Sequence, residues 1–275
     1  MKLAIYYVHL LEAAKQSGRP LADICDEARA AGIKAVDLMY EELTDKSIPN
    51  YLSYGFALSG VPVWFDFAHK PFSKSDLAFL DDLRRAGAEH ALLLPASFKP
   101  EDDREALMPQ ILDGTAAVAE ACVEAGVKPT MEIFGSNDVP FHTPAEMHRF
   151  LDAIPSLGIT IDTGNFLWSD TDLLEVYPSF RSRVDYVHAK DYASMPFNGE
   201  CKNTSDAGKE FYGCPVGAGM IPVRAIFREL ARDGYNGTIV MELSGLNKME
   251  SAIVASASYV RDEWKQALEA AKKKA

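Results

Sequence analysis

Four residues in the second half of the chain combine metal-binding chemistry with regular placement. Glu132, Asp162, His188 and Glu242 lie within short apolar runs: Met131-Glu132-Ile133, Ile161-Asp162-Thr163, Val187-His188-Ala189 and Met241-Glu242-Leu243. A carboxylate buried in such a run is costly unless it is paired, protonated or metal-bound. Three packed together repel and raise one another's pKa values, and a divalent cation removes that conflict. Three carboxylates and one imidazole favour Mn²⁺, Mg²⁺ or Co²⁺ over a thiolate-seeking ion, with Zn²⁺ also admitted; Mn²⁺ is the expected cofactor, one ion per chain. Taken singly, each residue has an ordinary explanation. An acid at a strand end is commonly a loop cap or salt-bridge partner, and a lone histidine is commonly a satisfied core residue. The metal reading rests on their conjunction, one residue per successive strand.

Those strands belong to a repeating pattern of short apolar run, loop and helix. Expected strands are Leu3–Tyr7, Lys34–Met39, Val61–Phe67, Ala91–Leu94, Pro129–Phe134, Ile159–Ile161, Val184–Ala189 and Thr238–Leu243. Between them the helix signals are local. Pro20 opens a helix that Gly32 stops. Ser73 and Asp76 form a capping box before Leu77, Leu80 and Leu83, with Gly87 as the stop. A helix of roughly 101–125 ends at Gly126, Thr143 and Glu146 cap the next, a short helix covers Leu173–Phe180, Pro222 begins another, and the last runs from about Met249 to the Lys272, Lys273 and Lys274 tail. Those lysines suit the negative end of a helix dipole. The second unit is the weakest, because Ile48–Phe56 contains Pro49 and lacks helical periodicity. Alternating strands and helices imply parallel pairing through right-handed crossovers. Eight units in this length predict a (β/α)8 TIM barrel, one domain over residues 1–275, whose functional groups gather at the C-terminal strand ends. The alternative, a doubly wound open sheet, normally carries a Gly-rich turn after its first strand; His9-Leu10-Leu11-Glu12 is no such turn. The longest irregular stretch, Tyr192 to Ala218, is expected on the active face.

Composition narrows the function. The chain has 275 residues and a net charge of −12, with no basic cluster ahead of the terminal lysines, so a nucleic-acid partner is not expected. No C-x-x-C pair joins Cys25, Cys122, Cys201 and Cys214, which argues against a thiolate zinc site. The N-terminal apolar run is too short for a signal peptide or membrane span, and the expected location is cytoplasmic, without a membrane partner.

The chain also resembles the xylose isomerase-like barrels, sugar and sugar-phosphate isomerases and epimerases. The likeness rests on Glu132, the Asp162-x-Gly164-Asn165 turn, His188-x-Lys190-Asp191, Glu242, and the stretch from Val216 through Pro222 into Phe227, Leu230, Gly234, Tyr235 and Gly237. It implies that Glu132, Asp162, His188 and Glu242 hold one metal and that Glu132 and Glu242 are the catalytic acid and base. Many members carry His where Asn165 stands. The endonuclease IV branch uses further histidines to hold three zinc ions; no Asp-x-His closely follows His188, so DNA repair is not expected. Homo-oligomers are common in the family.

The expected reaction moves a proton on carbon beside a carbonyl, through an enediolate, on a sugar or polyol. Substrate-contacting candidates are Lys190, Asn165, His69 and Trp168, with His9 and Trp64 as further pocket candidates; for either tryptophan core packing is the commoner role. Lys190 points the same way as His188, either toward substrate or into an ion pair with Asp191 or another acid. The same residues would serve a metal-dependent lyase, dehydratase or C–glycoside-cleaving enzyme. Other classes are a Schiff-base aldolase using Lys190 and a non-catalytic sugar-binding subunit.

Overall fold

The computed structural model describes residues 1–198 and 200–273; the expected dipole contact of Lys274 lies outside them. Strands β1 (Lys2–Tyr6), β2 (Ala35–Asp37), β3 (Ala57–Leu58), β4 (Gly60–Trp64), β5 (His90–Leu94), β6 (Lys128–Met131), β7 (Gly158–Asp162) and β8 (Val184–Ala189) belong to the main sheet. The short β9 (Asp191–Ala193), β10 (Lys202–Thr204) and β11 (Glu210–Cys214) form a separate antiparallel sheet, and β12 (Thr238–Met241) rejoins the first. The main sheet runs β3-β2-β1-β12-β8-β7-β6-β5-β4, parallel throughout. Its two end members, β3 and β4, are consecutive in the chain and separated only by Ser59. One stave therefore pairs with β2 through its first half and with β5 through its second. Nine strands so make a nearly closed eight-stave TIM barrel, as the strand–helix alternation predicts.

Helices α1 (Tyr7–Ser17), α2 (Leu21–Ala30), α3 (Tyr40–Thr44), α4 (Phe79–Ala86), α5 (Arg104–Glu124), α6 (Pro144–Ala153), α7 (Leu173–Phe180), α8 (Val223–Arg232) and α9 (Met249–Lys272) surround it. The cap signals locate most of them. Thr143 Oγ1 accepts from the Glu146 N–H at 3.3 Å while the Glu146 carboxylate accepts the Thr143 N–H at 2.8 Å, and Gly87 ends α4 at φ 73°. Two expectations change and one, the weak second unit, holds. Tyr7 starts a helix instead of ending a strand, and α1 precedes the helix that Pro20 opens. The second unit has only α3 and a 3₁₀ turn at Tyr51–Tyr54, consistent with Pro49 breaking the pattern. The stretch from Tyr192 to Ala218 is not irregular, since β9, β10 and β11 pair within it.

Two cores result. A large aliphatic and aromatic layer lies between barrel and helices, and a small cluster of Ala4, Tyr6, Ala35, Tyr186 and Val240 fills the lumen. The lumen is also polar. Tyr186 Oη donates to Asp37 Oδ1 at 2.8 Å and lies 2.7 Å from Ser59 Oγ, which in turn donates to Thr238 Oγ1 at 3.3 Å. Gly60 closes this network: its N–H donates to Asp37 Oδ1 at 2.9 Å, and a Cβ there would lie 2.6 Å from Asp37 Oδ2 and 2.9 Å from Tyr186 Oη. His90 stacks on Tyr186 with ring centroids 4.3 Å apart.

Gly60→Ala is expected to destabilise the fold by about 1–3 kcal/mol through overpacking, read as a lower thermal midpoint; an unchanged midpoint would show that Asp37 can yield. Burial, helped by Lys128 and Lys2, pushes His90 down to about 3. The unfolded chain, near pH 6.5 for histidine, then binds the proton first, so stability falls as pH drops from about 6.5 toward 3 and is flat above. His90→Phe should flatten that acidic limb in pH-dependent denaturant melts, whereas an unaltered limb would assign it to the carboxylates.

Candidate metal centre and substrate chambers

The strand ends place the acid cluster. Asp162 and His188 face each other in register on β7 and β8, while Glu132 and Glu242 are the first residues beyond β6 and β12. Asp162 shows how local sequence aims a carboxylate. Its Oδ1 accepts the N–H groups of Gly164 and Asn165 at 2.7 and 2.8 Å, which fixes the turn and turns Oδ2 toward the cluster, 3.2 Å from Lys190 Nζ. Gly164 is required because a Cβ would lie 2.8 Å from the Tyr192 ring and 3.0 Å from Lys190 Cγ.

Ligand-capable atoms of Glu132, Asp162 and His188 all lie within 4.8 Å of one another, and all three residues are buried. His188 Nδ1 is 2.9 Å from Glu132 Oε2 and 3.6 Å from Glu242 Oε2. Glu132 Oε2, Asp162 Oδ2 and His188 Nδ1 nevertheless have no hydrogen-bond partner. Buried polar atoms left so are rare and need an explanation, and three converging ones with oxygen and imidazole chemistry fit a divalent cation. Behind the imidazole, Asp37 Oδ2 lies 3.8 Å from His188 Nε2, near enough for charge attraction but beyond hydrogen-bond reach.

Charge explains the rest. Burial opposes a charged His188, yet Glu132 and Glu242 outweigh it and push its pKa up to about 9. Burial likewise raises Asp162, and the repulsion of Glu242 and Glu132 adds to it against the pull of Lys190. Glu242 goes the other way: burial would raise it, but Lys190 and His188 hold it low. Without a metal, the pocket thus recruits protons and ammonium groups to balance its carboxylates. A divalent cation does the same work and releases the imidazole to act as a ligand.

The structure settles where each predicted residue sits. Lys190 Nζ lies 2.6 Å from Glu242 Oε1, 3.2 Å from Asp162 Oδ2 and 3.0 Å from Asn165 Oδ1. Its expected neighbour Asp191 instead accepts the N–H groups of Tyr192, Gly217, Gly219 and Ile221, anchoring the stretch from Val216 to Pro222. Trp168 packs on Gly135, where a Cβ would lie 2.8 Å from its Nε1, and meets Phe211 edge-on at 5.1 Å. His9 Nε2 accepts the Leu243 N–H at 2.9 Å and Nδ1 lies 3.1 Å from Glu12 Oε2, which steadies the backbone after Glu242. His69 is not brought to this site: its ring nitrogens are taken by Asp66 at 2.6 Å and Asp102 at 3.0 Å, and it borders neither chamber described next.

Two chambers meet at the cluster. One, about 220 Å³, is the more polar of the two and is bordered by Asn165, Trp168, Lys190, Tyr192 and Asn203. The other, about 260 Å³, is bordered by Tyr6, Met39, Trp64, Leu92 and Leu94. Glu132, Phe134, Glu242 and Ser244 border both. A wider cavity of about 630 Å³, between Tyr51 and Arg85, contains none of the cluster. Sequence reading missed Tyr6, Asp37 and Tyr192: Tyr6 reads as strand filler, Tyr192 opens the expected irregular stretch, and Asp37 breaks the apolar run Val36-Asp37-Leu38 but stands apart from the four successive units that carry the cluster.

Comparison with known proteins agrees with this geometry. The family of xylose isomerase-like TIM barrels matches residues 25–273, and the chain belongs to it. Among curated relatives, an inosose dehydratase of Lacticaseibacillus casei is 23% identical over 245 residues, covering 79% of this chain and 80% of that one. Among solved structures, the IolI protein with a bound zinc atom superposes with a TM-score of 0.72 at 14% identity, covering 97% of this chain and 99% of the other. A D-allulose 3-epimerase from Methylomonas sp. gives 0.66 at 14% identity, covering 96% and 98%.

Removing divalent ions with chelator is expected to lower the thermal midpoint, and adding back Mn²⁺, Mg²⁺, Co²⁺ or Zn²⁺ to restore it, by about 2.7 kcal/mol at a hundredfold excess over Kd. His188→Ala should abolish that response. A midpoint indifferent to every ion would remove the metal centre.

Proposed function

We propose that this protein is a divalent-metal-dependent isomerase or epimerase of a polyhydroxylated ketone, and that Glu132, Asp162, His188 and Glu242 hold the ion. The observation that supports it best is the position of Glu132 and Glu242, which border both chambers and so meet any substrate seated at the cluster. A bound ion would supply Lewis-acid polarisation of the carbonyl and neighbouring hydroxyl. One glutamate takes the proton from the carbon beside the carbonyl; the C–H electron pair becomes the enediolate double bond and the carbonyl oxygen gains charge. The other glutamate returns a proton. Return to the neighbouring carbon isomerises, and return to the opposite face of the same carbon epimerises. Lys190, held by Glu242, Asp162 and Asn165, keeps a positive charge beside the developing oxyanion. That charge argues against a Schiff-base role, which needs a neutral amine.

A second reading has specific support. The inosose dehydratase relative fits the same enediolate losing a β-hydroxyl as water, with a glutamate as the acid. C–glycoside cleavage would follow the same course with a different leaving group.

Metal-loaded protein in D₂O should introduce deuterium beside the carbonyl of a cognate ketose or inosose, followed by mass spectrometry. Deuterated isomer supports the first reading and an unsaturated product, one water lighter, the second. Glu132→Gln and Glu242→Gln should each slow exchange by about 10²–10⁴-fold. No exchange into any ketone by protein that binds metal would leave a sugar-binding role.

A further inference from the structure

We propose that the substrate is uncharged and carries an apolar ring beside its polyhydroxylated ketone, the ring seating against Trp64 in the second chamber while the ketone faces Lys190 and the acid cluster. The inference rests on the reaction proposed above and specifies its substrate class. It stands on the asymmetry of the two chambers. Asn165, Lys190 and Asn203 offer donors and acceptors on one side. On the other, Met39, Pro62, Leu92, Leu94 and Phe134 leave little for a hydroxyl to bond away from the shared carboxylates and Tyr6, and hydroxyls placed against that wall would lose water without replacement. The chambers share Glu132 and Glu242, so a molecule reacting at the carboxylates reaches both. Each is below the roughly 300 Å³ of a typical small-molecule site, and together they enter that range. Trp64 is 37% exposed although it meets Phe134 in a T-shaped contact at 5.4 Å, so part of its indole is open to an apolar partner.

The lining side chains do not favour a phosphate. Among the described residues bordering either chamber, Lys190 and His9 are the cationic candidates. Lys190 is engaged by Glu242, Asp162 and Asn165, and His9 by Leu243 and Glu12. Apart from the ion the cluster would hold, a phosphate would meet two carboxylates and no free cationic side chain.

The test compares dissociation constants of metal-loaded protein for methyl and phenyl 3-oxo-β-D-glucopyranoside, which differ only in the added ring, and for the 6-phosphate of the methyl compound. The phenyl compound is expected to bind roughly tenfold tighter or better, the phosphate no tighter than the methyl compound. In Trp64→Ala the phenyl preference should shrink to about twofold. Equal affinities, a preference that survives Trp64→Ala, tighter binding of the phosphate, or binding of neither ketone would overturn the proposal. Deuterium exchange measured on the same ketones separates the two ideas. Exchange without ring preference removes only the apolar subsite, and ring preference without exchange removes the reaction but keeps the subsite.

Discussion

The structure turns on one electrostatic problem: carboxylates of Asp37, Glu132, Asp162 and Glu242 converge at one end of the barrel, where Asp37, Glu132 and Asp162 are buried. Their repulsion and desolvation would exceed any gain from packing. The fold answers with Lys190, with a His188 that sits among three of the acids, and with backbone N–H groups aimed at Asp162 and Asp37. Some atoms are still left over. Glu132 Oε2, Asp162 Oδ2 and His188 Nδ1 lie among charged neighbours but make no well-aligned hydrogen bond. Such an arrangement would give up stability for binding energy toward an ion, and the surrounding glycines and caps hold that geometry.

The glycines show how closely backbone and site are joined. Gly164 lets Lys190 and Tyr192 approach the Asp162 turn, and Gly60 lets β4 press on Asp37 and Tyr186. Gly219 stands where a Cβ would lie 2.3 Å from Asp191 Oδ1. Asp191, adjacent in sequence to Lys190, therefore looks inward like a catalytic group but works as a cap on the segment leading to α8.

How much of this was legible follows from range. Glu132, Asp162, His188 and Glu242 stood out because each breaks an apolar run at the end of a successive unit, a local signal repeated four times. Helices with caps, such as α6, were equally clear. Helix α1 was hidden because Tyr6 supplies no side-chain cap and Tyr7-Val8 continues the apolar run of β1. The lumen network was hidden for another reason: Tyr186 and Asp37 meet across 149 residues, and no spacing in the sequence reports such a pairing. His69 misled because it follows a strand as a site residue would, while Asp66, three residues earlier, and Asp102 had already claimed both ring nitrogens.

If the proposed reaction holds, likeness to both dehydratases and epimerases follows from a division of labour between the chambers. Forming the enediolate requires the shared carboxylates and one positive centre, and that apparatus is indifferent to the fate of the intermediate. The outcome depends on which group faces the second proton acceptor: a neighbouring carbon, the opposite face of the same carbon, or a β-hydroxyl ready to leave. That is a question of how the substrate is rotated at the cluster. Rotation is fixed by contacts remote from the reacting carbon, through binding energy that a reacting centre alone cannot supply. On the proposed reaction, the walls carrying Trp64, Leu92 and Leu94 on one side and Asn165 and Asn203 on the other would decide the product, although none of them needs to touch the proton being moved.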